Sequence, residues 1–151
     1  MPDSHRNTAF YVEALILTCV FAAVLLISVR VFAAAHREST EATALSDAVS
    51  LAKNAAEAVS ASASEEDLYM LLNENENAEQ QDGAVLAWYD KDLLPNRESA
   101  CYRVSVTWNT EETGGGSLAE SQITVYSADS ETALYSLDTA VYLSAAEGGA
   151  A

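Results

Sequence analysis

Histidine and cysteine, which often carry enzymatic chemistry, are few in this chain and lie far apart in its sequence. Both histidines, His5 and His36, flank a long apolar stretch, so the chain beyond residue 36 contains none. Ser-His and Cys-His nucleophiles, and zinc sites that include histidine, all need an imidazole beside the reacting group. The sequence therefore predicts no catalytic residues, and we expect the protein not to be an enzyme.

The cysteines and the glycine triplet also lack the spacing of a functional site. Cys19 falls in the apolar stretch and Cys101 much later, so we expect no disulfide, which needs Cα atoms within about 7 Å. Gly114 to Gly116 are not followed by a lysine and do not join a strand to a helix, as a phosphate-binding loop does. These residues predict no cofactor site.

A cluster of carboxylates is the remaining candidate for ligand binding. Glu74, Glu76, Glu79 and Asp82 are close in sequence and could bind calcium loosely. They lack the ligand spacing and the turn glycine of an EF-hand loop, however. We therefore expect no metal site.

Charge is distributed unevenly along the chain. From Glu38 to the end there are 21 acidic and 4 basic residues, a net charge of −17, compared with −16 for the whole chain. Nucleic-acid binding needs clustered lysine and arginine, and anionic lipid head groups also attract cations. The composition excludes nucleic acid as a partner and predicts a solvated acidic domain.

The apolar stretch is long enough to cross a membrane. Its uncharged part, Ala14 to Val29, covers about 24 Å as a helix, and extension to Phe10 and Ala35 exceeds the 30 Å of hydrocarbon. The extension includes Glu13, which needs a partner or a proton, and Arg30, which can reach the interface. We predict a transmembrane helix over residues 9–36. A cleaved signal peptide and a buried core helix are the alternatives.

Helical periodicity continues beyond the apolar stretch. No proline or glycine occurs between Asp3 and Asp82, so one helix is expected from about Thr8 to Ser62, with residues 37–62 as a stem. The stem carries a narrow apolar stripe, which we predict to pack on the rest of the domain. The stripe comprises Leu45, Ala48, Val49, Ala52, Ala56 and Val59.

The rest of the chain predicts a small sheet domain. Ser64 and the acidic residues after it begin a short helix, so residues 63–83 are expected to form that helix and an acidic loop. From residue 84 the apolar period changes to two, with strands predicted at 84–89, 101–109, 122–127 and 133–143. The fold class is therefore α+β, with the long helix packed on an antiparallel meander of about four strands over residues 84–143. Residues 144–151 are expected to be a disordered tail.

These features together resemble a type IV pilin-like protein, of the minor pilin or pseudopilin sort found in Gram-positive bacteria. The matching features are a polar leader over residues 1–8, then AFYVE at Ala9 to Glu13 and the apolar run. LAKNAAEA at Leu51 to Ala58 and a meander that ends in LYSLDTAVYL follow. The specific motif is five residues long, whereas the architectural likeness extends over most of the chain.

The resemblance implies processing and assembly at the N-terminus. In that family a prepilin peptidase cuts before an aromatic residue, and a glutamate at the fifth mature position meets the new N-terminus of the neighbouring subunit. Ala9 stands where the family usually has glycine. A cut before Phe10 makes Glu13 the fourth residue, and a cut before Ala9 makes it the fifth.

The leading interpretation is a membrane-anchored structural subunit of a type IV pilus or of a pseudopilus in a type II-like secretion system. Its partners would be lipid, other pilin-like subunits and a prepilin peptidase, with the acidic domain outside the cytoplasm or in an extracellular filament. The alternative is a single-pass membrane protein with an extracytoplasmic sensing or ligand-binding domain. Arg6 on one side of the apolar stretch and Arg30 and Arg37 on the other do not decide the orientation.

Overall fold

A computed structural model of the chain describes residues 3–114 and 116–144, without the side chains of residues 3–9. It has the predicted α+β class. The chain divides into two compact units, Met1–Ala42 and Thr43–Ala151. Helix α1, Asp3–Ala61, contributes residues to both. Of the predicted tail only Ser144 is described, and the remaining residues of the tail lie outside the described part, as do the first two residues of the leader.

Helix α1 ends just before a short second helix. The Ser62 amide donates to the Val59 carbonyl at 3.2 Å, and its hydroxyl donates to the Ala58 carbonyl at 2.7 Å. Helix α2, Glu65–Leu72, then begins at Ser64, whose side chain accepts from the Asp67 amide at 3.2 Å. Such a cap stabilises a helix by about 1 kcal/mol. The acidic residues of the first turn also interact favourably with the positive end of the helix dipole. The predicted short helix is thus confirmed.

The predicted acidic loop is wrong, because much of residues 73–83 is ordered by hydrogen bonds. A 3₁₀ turn, Glu74–Glu76, is followed by strand β1, Ala78–Gln81. The side-chain amide of Asn77 donates to the Trp88 backbone carbonyl at 3.1 Å, and the backbone carbonyl of Asn77 accepts from the Trp88 backbone amide at 3.0 Å. These hydrogen bonds, together with the burial of Ala78, hold the segment against the sheet.

Strand β1 turns directly into strand β2, Ala84–Tyr89. Asp82 and Gly83, the two residues between them, have φ of 50° and 77°. Two positive φ angles in a two-residue connection characterise the type I′ turn, whose twist matches that of the flanking strands. The Asp-Gly pair is therefore a hairpin turn.

The described residues contain six strands, against about four in the prediction, and every pair of neighbours is antiparallel. After β2 come β3, Tyr102–Thr107, and β4, Asn109–Thr113. Strand β5, Gly116–Ser127, pairs with both of them, and β6, Ala133–Ser144, pairs with β5 on its other side.

Strands β3 and β4 behave as two parts of one strand. Both pair with β5 in a single register, Val106 with Ile123 in one part and Asn109 with Glu120 in the other. Only the stretch around Trp108 interrupts the ladder. The sheet is accordingly a meander in which each strand lies beside its neighbour in sequence, as predicted.

The core lies between the stem and one face of the sheet. Alternate residues of β2, β3 and β5 point inward, as the period of two predicts, and two leucines of α2 complete the cluster. Its largest members include Leu51, Leu68, Val85, Val104, Val106, Ile123 and Val125. The stem contributes Leu51, Val59 and the alanines Ala48, Ala52 and Ala55 to this core, and Ala56 packs against it.

The predicted stripe on the stem is correct in part. Ala48, Ala52 and Val59 are fully buried, as expected. Leu45, however, is 48% exposed, and the buried leucine of the stem is Leu51, at 2%. The buried face is therefore rotated from the predicted one toward Leu51, which the predicted stripe left out.

Candidate functional site

The first candidate surface is the apolar segment of α1, from Phe10 to Phe32. Every large apolar side chain in it is between 50% and 75% exposed. The helix is long and apolar enough to cross a membrane. Exposed apolar area of this extent is strongly unfavourable in water, at about 25 cal/mol per Å², and marks a surface that lipid or other helices cover.

The hydroxyl groups within this segment are bonded inside the helix. Thr18 donates to the Ala14 carbonyl at 2.8 Å, and Ser28 donates to the Val24 carbonyl at 2.9 Å. In hydrocarbon a polar group has no water to bond, so bonds to the preceding turn are the usual solution for such residues. The Thr18 and Ser28 hydroxyls are therefore satisfied within the helix.

Two charged side chains mark the ends of the segment. Glu13 and Arg30 are both exposed on α1, and 17 residues of helix correspond to about 26 Å along its axis. Among the side chains that the structure describes, Glu13 has no ion-pair partner. The spacing nearly matches the thickness of the hydrocarbon layer, so both groups can reach its boundaries.

The predicted processing residues lie within about one turn of Glu13. Ala9 belongs to α1, although its side chain is outside the described part. The rings of Phe10 and Tyr11 are exposed and meet edge to face, with centroids 6.2 Å apart. Phe10 and Glu13 are three residues apart on the helix and therefore share a face. Their proximity follows from their spacing in the sequence and from the helix.

The candidate ligand residues from the sequence are not brought together. Across residues 3–114 and 116–144, no group of three or more His, Cys, Asp and Glu side chains is placed to hold a metal. Of the four clustered acids, Glu79 forms an ion pair with Arg97. Cys19 and Cys101 are both free and exposed. These positions give no support to the calcium interpretation.

One depression in the acidic domain is open and includes polar residues in its lining. It has a volume of about 600 Å³ and lies on the outer face of the sheet, lined by residues of β3 to β6. Gln122 donates across its floor to Asp138 at 3.1 Å, and Glu120 lies nearby. The lining offers carboxylates, amides and hydroxyls, without a pair of residues arranged as nucleophile and base.

A partly buried hydrogen bond joins the stem to the sheet. Tyr102 on β3 donates its hydroxyl to an Asp47 carboxylate oxygen on the stem at 2.8 Å. Burial, with the hydrogen bond and the charge of Asp47, raises the pKa of Tyr102 to about 12. Burial and the nearby Glu74 also raise the pKa of Tyr89. Both phenols are kept neutral and act as packing residues.

Sequence reasoning missed a group of basic and aromatic side chains on the outer face of the sheet. Trp88 on β2 and Tyr126 on β5 lie on either side of Arg103 on β3, in register with it. Arg97, from the connection between β2 and β3, lies over the Trp88 ring. The outward positions of Trp88 and Arg103 follow from strand alternation. Their pairing requires the register, which the sequence does not show.

No protein-family model, no curated protein and no solved structure matches this chain in the comparisons with known proteins.

Proposed function

We propose that this chain is a membrane-anchored structural subunit of a type IV pilus or pseudopilus assembly. It would pack through the apolar segment of α1 and display its acidic α+β domain outside the cytoplasm. One observation carries the proposal. Helix α1 begins with an exposed apolar segment that has a single carboxylate near its start. The same helix continues into a stem whose residues form part of the core of an antiparallel sheet domain.

Glu13 is the residue on which assembly depends in this proposal. A lone ionised carboxylate costs several kcal/mol in hydrocarbon, so Glu13 is stabilised there by a partner of opposite charge. Cleavage before Ala9 or Phe10 would create a free amine within about one helical turn of this carboxylate in each chain. In a packed array the amine of one chain can meet Glu13 of the next. The pairing would fix the register of neighbouring helices.

The direct test is the sequence of the mature N-terminus, determined on protein isolated from its native membrane. The proposal requires a new N-terminus at Ala9 or Phe10. An uncleaved chain that remains a monomer and binds a small ligand would contradict it. That outcome would favour a membrane-tethered sensing or ligand-binding domain instead.

Substitution of Glu13 tests the assembly step separately. Glu13→Gln removes the charge at nearly constant shape, so the chain should stay folded and membrane-bound but co-isolate poorly with its assembly. Glu38→Gln is the matched control, because Glu38 lies on the same helix, is exposed and follows the apolar segment. Normal co-isolation of the Glu13→Gln protein would refute the pairing.

The orientation is tested on intact protoplasts. Added protease should degrade the acidic domain, whereas a tag placed before residue 9 should stay protected until processing removes it. Full protection of the domain would overturn both the orientation and the assembly proposal.

A further inference from the structure

The outer face of the sheet carries a compact set of arginines and aromatic rings, which we name the arginine–aromatic patch. It consists of Trp88, Arg97, Arg103 and Tyr126. The guanidinium carbon of Arg97 lies 4.4 Å from the centre of the Trp88 ring, and that of Arg103 lies 4.9 Å from the centre of the Tyr126 ring. Stacking on a ring holds a guanidinium in a fixed orientation, which suits it to planar anions such as carboxylates.

The two arginines differ in how well their charges are balanced. Arg97 forms an ion pair and a hydrogen bond with Glu79 of the adjacent strand β1. Among the residues that the structure describes, the ion-pair contact of Arg103 is with Glu131, at 3.8 Å, and the Glu131 side chain is 96% exposed. Such a solvated contact is weak. Arg103 therefore carries a charge that the domain itself balances poorly.

Burial makes the imbalance at Arg103 significant. Its side chain is only 25% exposed, and its Nε atom is buried without a hydrogen-bond partner within the described residues. A cation held largely out of water normally has a close carboxylate. The arrangement is typical of a cation whose partner arrives from another molecule.

The charge of the remaining surface indicates what that partner is. The chain has 23 acidic residues and 7 lysines and arginines, and only four of the basic residues follow Glu38. Two of those four belong to the patch. Acidic domains packed side by side repel one another unless a cation lies between them. A second copy of the chain carries 21 acidic residues from Glu38 onward and is therefore complementary in charge to the patch.

We propose that Arg103 in the arginine–aromatic patch binds a carboxylate of a neighbouring copy of this chain and so joins adjacent acidic domains. The inference rests on the proposed assembly, because lateral packing of the helices brings the domains together. It adds a contact in the domain to the contact in the membrane. The aromatic rings orient the guanidinium, and Arg97 with Glu79 holds the Trp88 ring in place.

Carbodiimide cross-linking of full-length protein in native membranes tests this contact. Arg103→Lys keeps the positive charge and introduces an amine, which the reagent joins only to a carboxylate in direct contact. We expect a covalent dimer of two copies, with the link at position 103 located by mass spectrometry. Arg97→Lys is the matched control, since Arg97 already pairs with Glu79. It should give a link within one chain and no dimer.

Co-isolation of two differently tagged copies in mild detergent separates the two proposals. Arg103→Gln should lower co-isolation roughly tenfold, as expected for the loss of one charge-assisted contact, while protease resistance shows that the domain remains folded. If copies co-isolate but position 103 links only to Glu131 of its own chain, or to another protein, the patch proposal is wrong and the assembly stands. If copies do not co-isolate at all, the assembly proposal and the patch proposal both fail.

Discussion

Truncation of Leu51 should destabilise the acidic domain far more than truncation of Leu45. Leu51 is 2% exposed and is one of the largest fully buried side chains, so Leu51→Ala loses its full transfer free energy and leaves a cavity. The expected cost is about 3 kcal/mol. Leu45 is 48% exposed on the same helix, so Leu45→Ala loses about half the transfer term, near 1 kcal/mol, and leaves no closed cavity.

The free energy of unfolding can be measured by urea titration of the full chain in a urea-tolerant detergent. Both tryptophans, Trp88 and Trp108, belong to the sheet domain, so their fluorescence reports on it. With a slope of about 1–3 kcal/mol per molar urea, Leu51→Ala should lower the midpoint by about 1–3 M. Equal losses for the two variants, or a larger loss for Leu45→Ala, would refute the packing of the stem described here.

Two further predictions concern stability. The pKa of Tyr102 in the folded protein lies above its unfolded value of about 10. The contribution of Tyr102 to folding stability is therefore complete below about pH 10 and is lost as pH rises through about 12. Tyr102→Phe removes the hydrogen bond to Asp47 and should lower the free energy of unfolding by about 1 kcal/mol at neutral pH. In urea titrations the variant should also lose less stability at alkaline pH than the unchanged protein. An equal alkaline loss in both proteins would contradict the role of Tyr102. Gly83→Ala should lower the free energy of unfolding by about 1–2 kcal/mol, because the φ of Gly83 is +77° and side chains other than glycine are strained there. The cost comes from the backbone alone, since nothing lies within 4 Å of the added Cβ. Unaltered stability would exclude the type I′ turn.

Periodicity was sufficient to predict the long helix, the short helix and the order of the sheet, because each depends on local pattern. The pattern could not predict which face of the stem is buried, because alanines occupy several of its faces and provide little hydrophobic contrast. The position of Leu51 decides which face is buried, since burial of one leucine removes more apolar area from water than burial of an alanine does.

Strand β1 was missed although a signal was present. Asp82-Gly83 is a strong hairpin signal when strands flank it, but the residues before it are too polar to suggest a strand. Side-chain hydrogen bonds of Asn77, which depend on the position of Trp88, hold that edge. Such pairing appears only in three dimensions.

The candidate functional residues also divide into those that the sequence shows and those that only the structure shows. The positions of Glu13 and Arg30 follow from composition, because charged residues are conspicuous in an apolar run. The arginine–aromatic patch depends on the register of β2, β3 and β5 and on where the connection places Arg97. Neither property is encoded in a local pattern.

The meander topology has a consequence for the kinetics of folding. Each strand pairs with its neighbour in sequence, so the sheet can form through local contacts, which close quickly. Docking on the stem is non-local, since Asp47 and Tyr102 are 55 residues apart in sequence. Folding should therefore show a fast phase for the hairpins and a slower phase for docking. During the interval, the apolar inner face of the sheet is open to other chains and to chaperones.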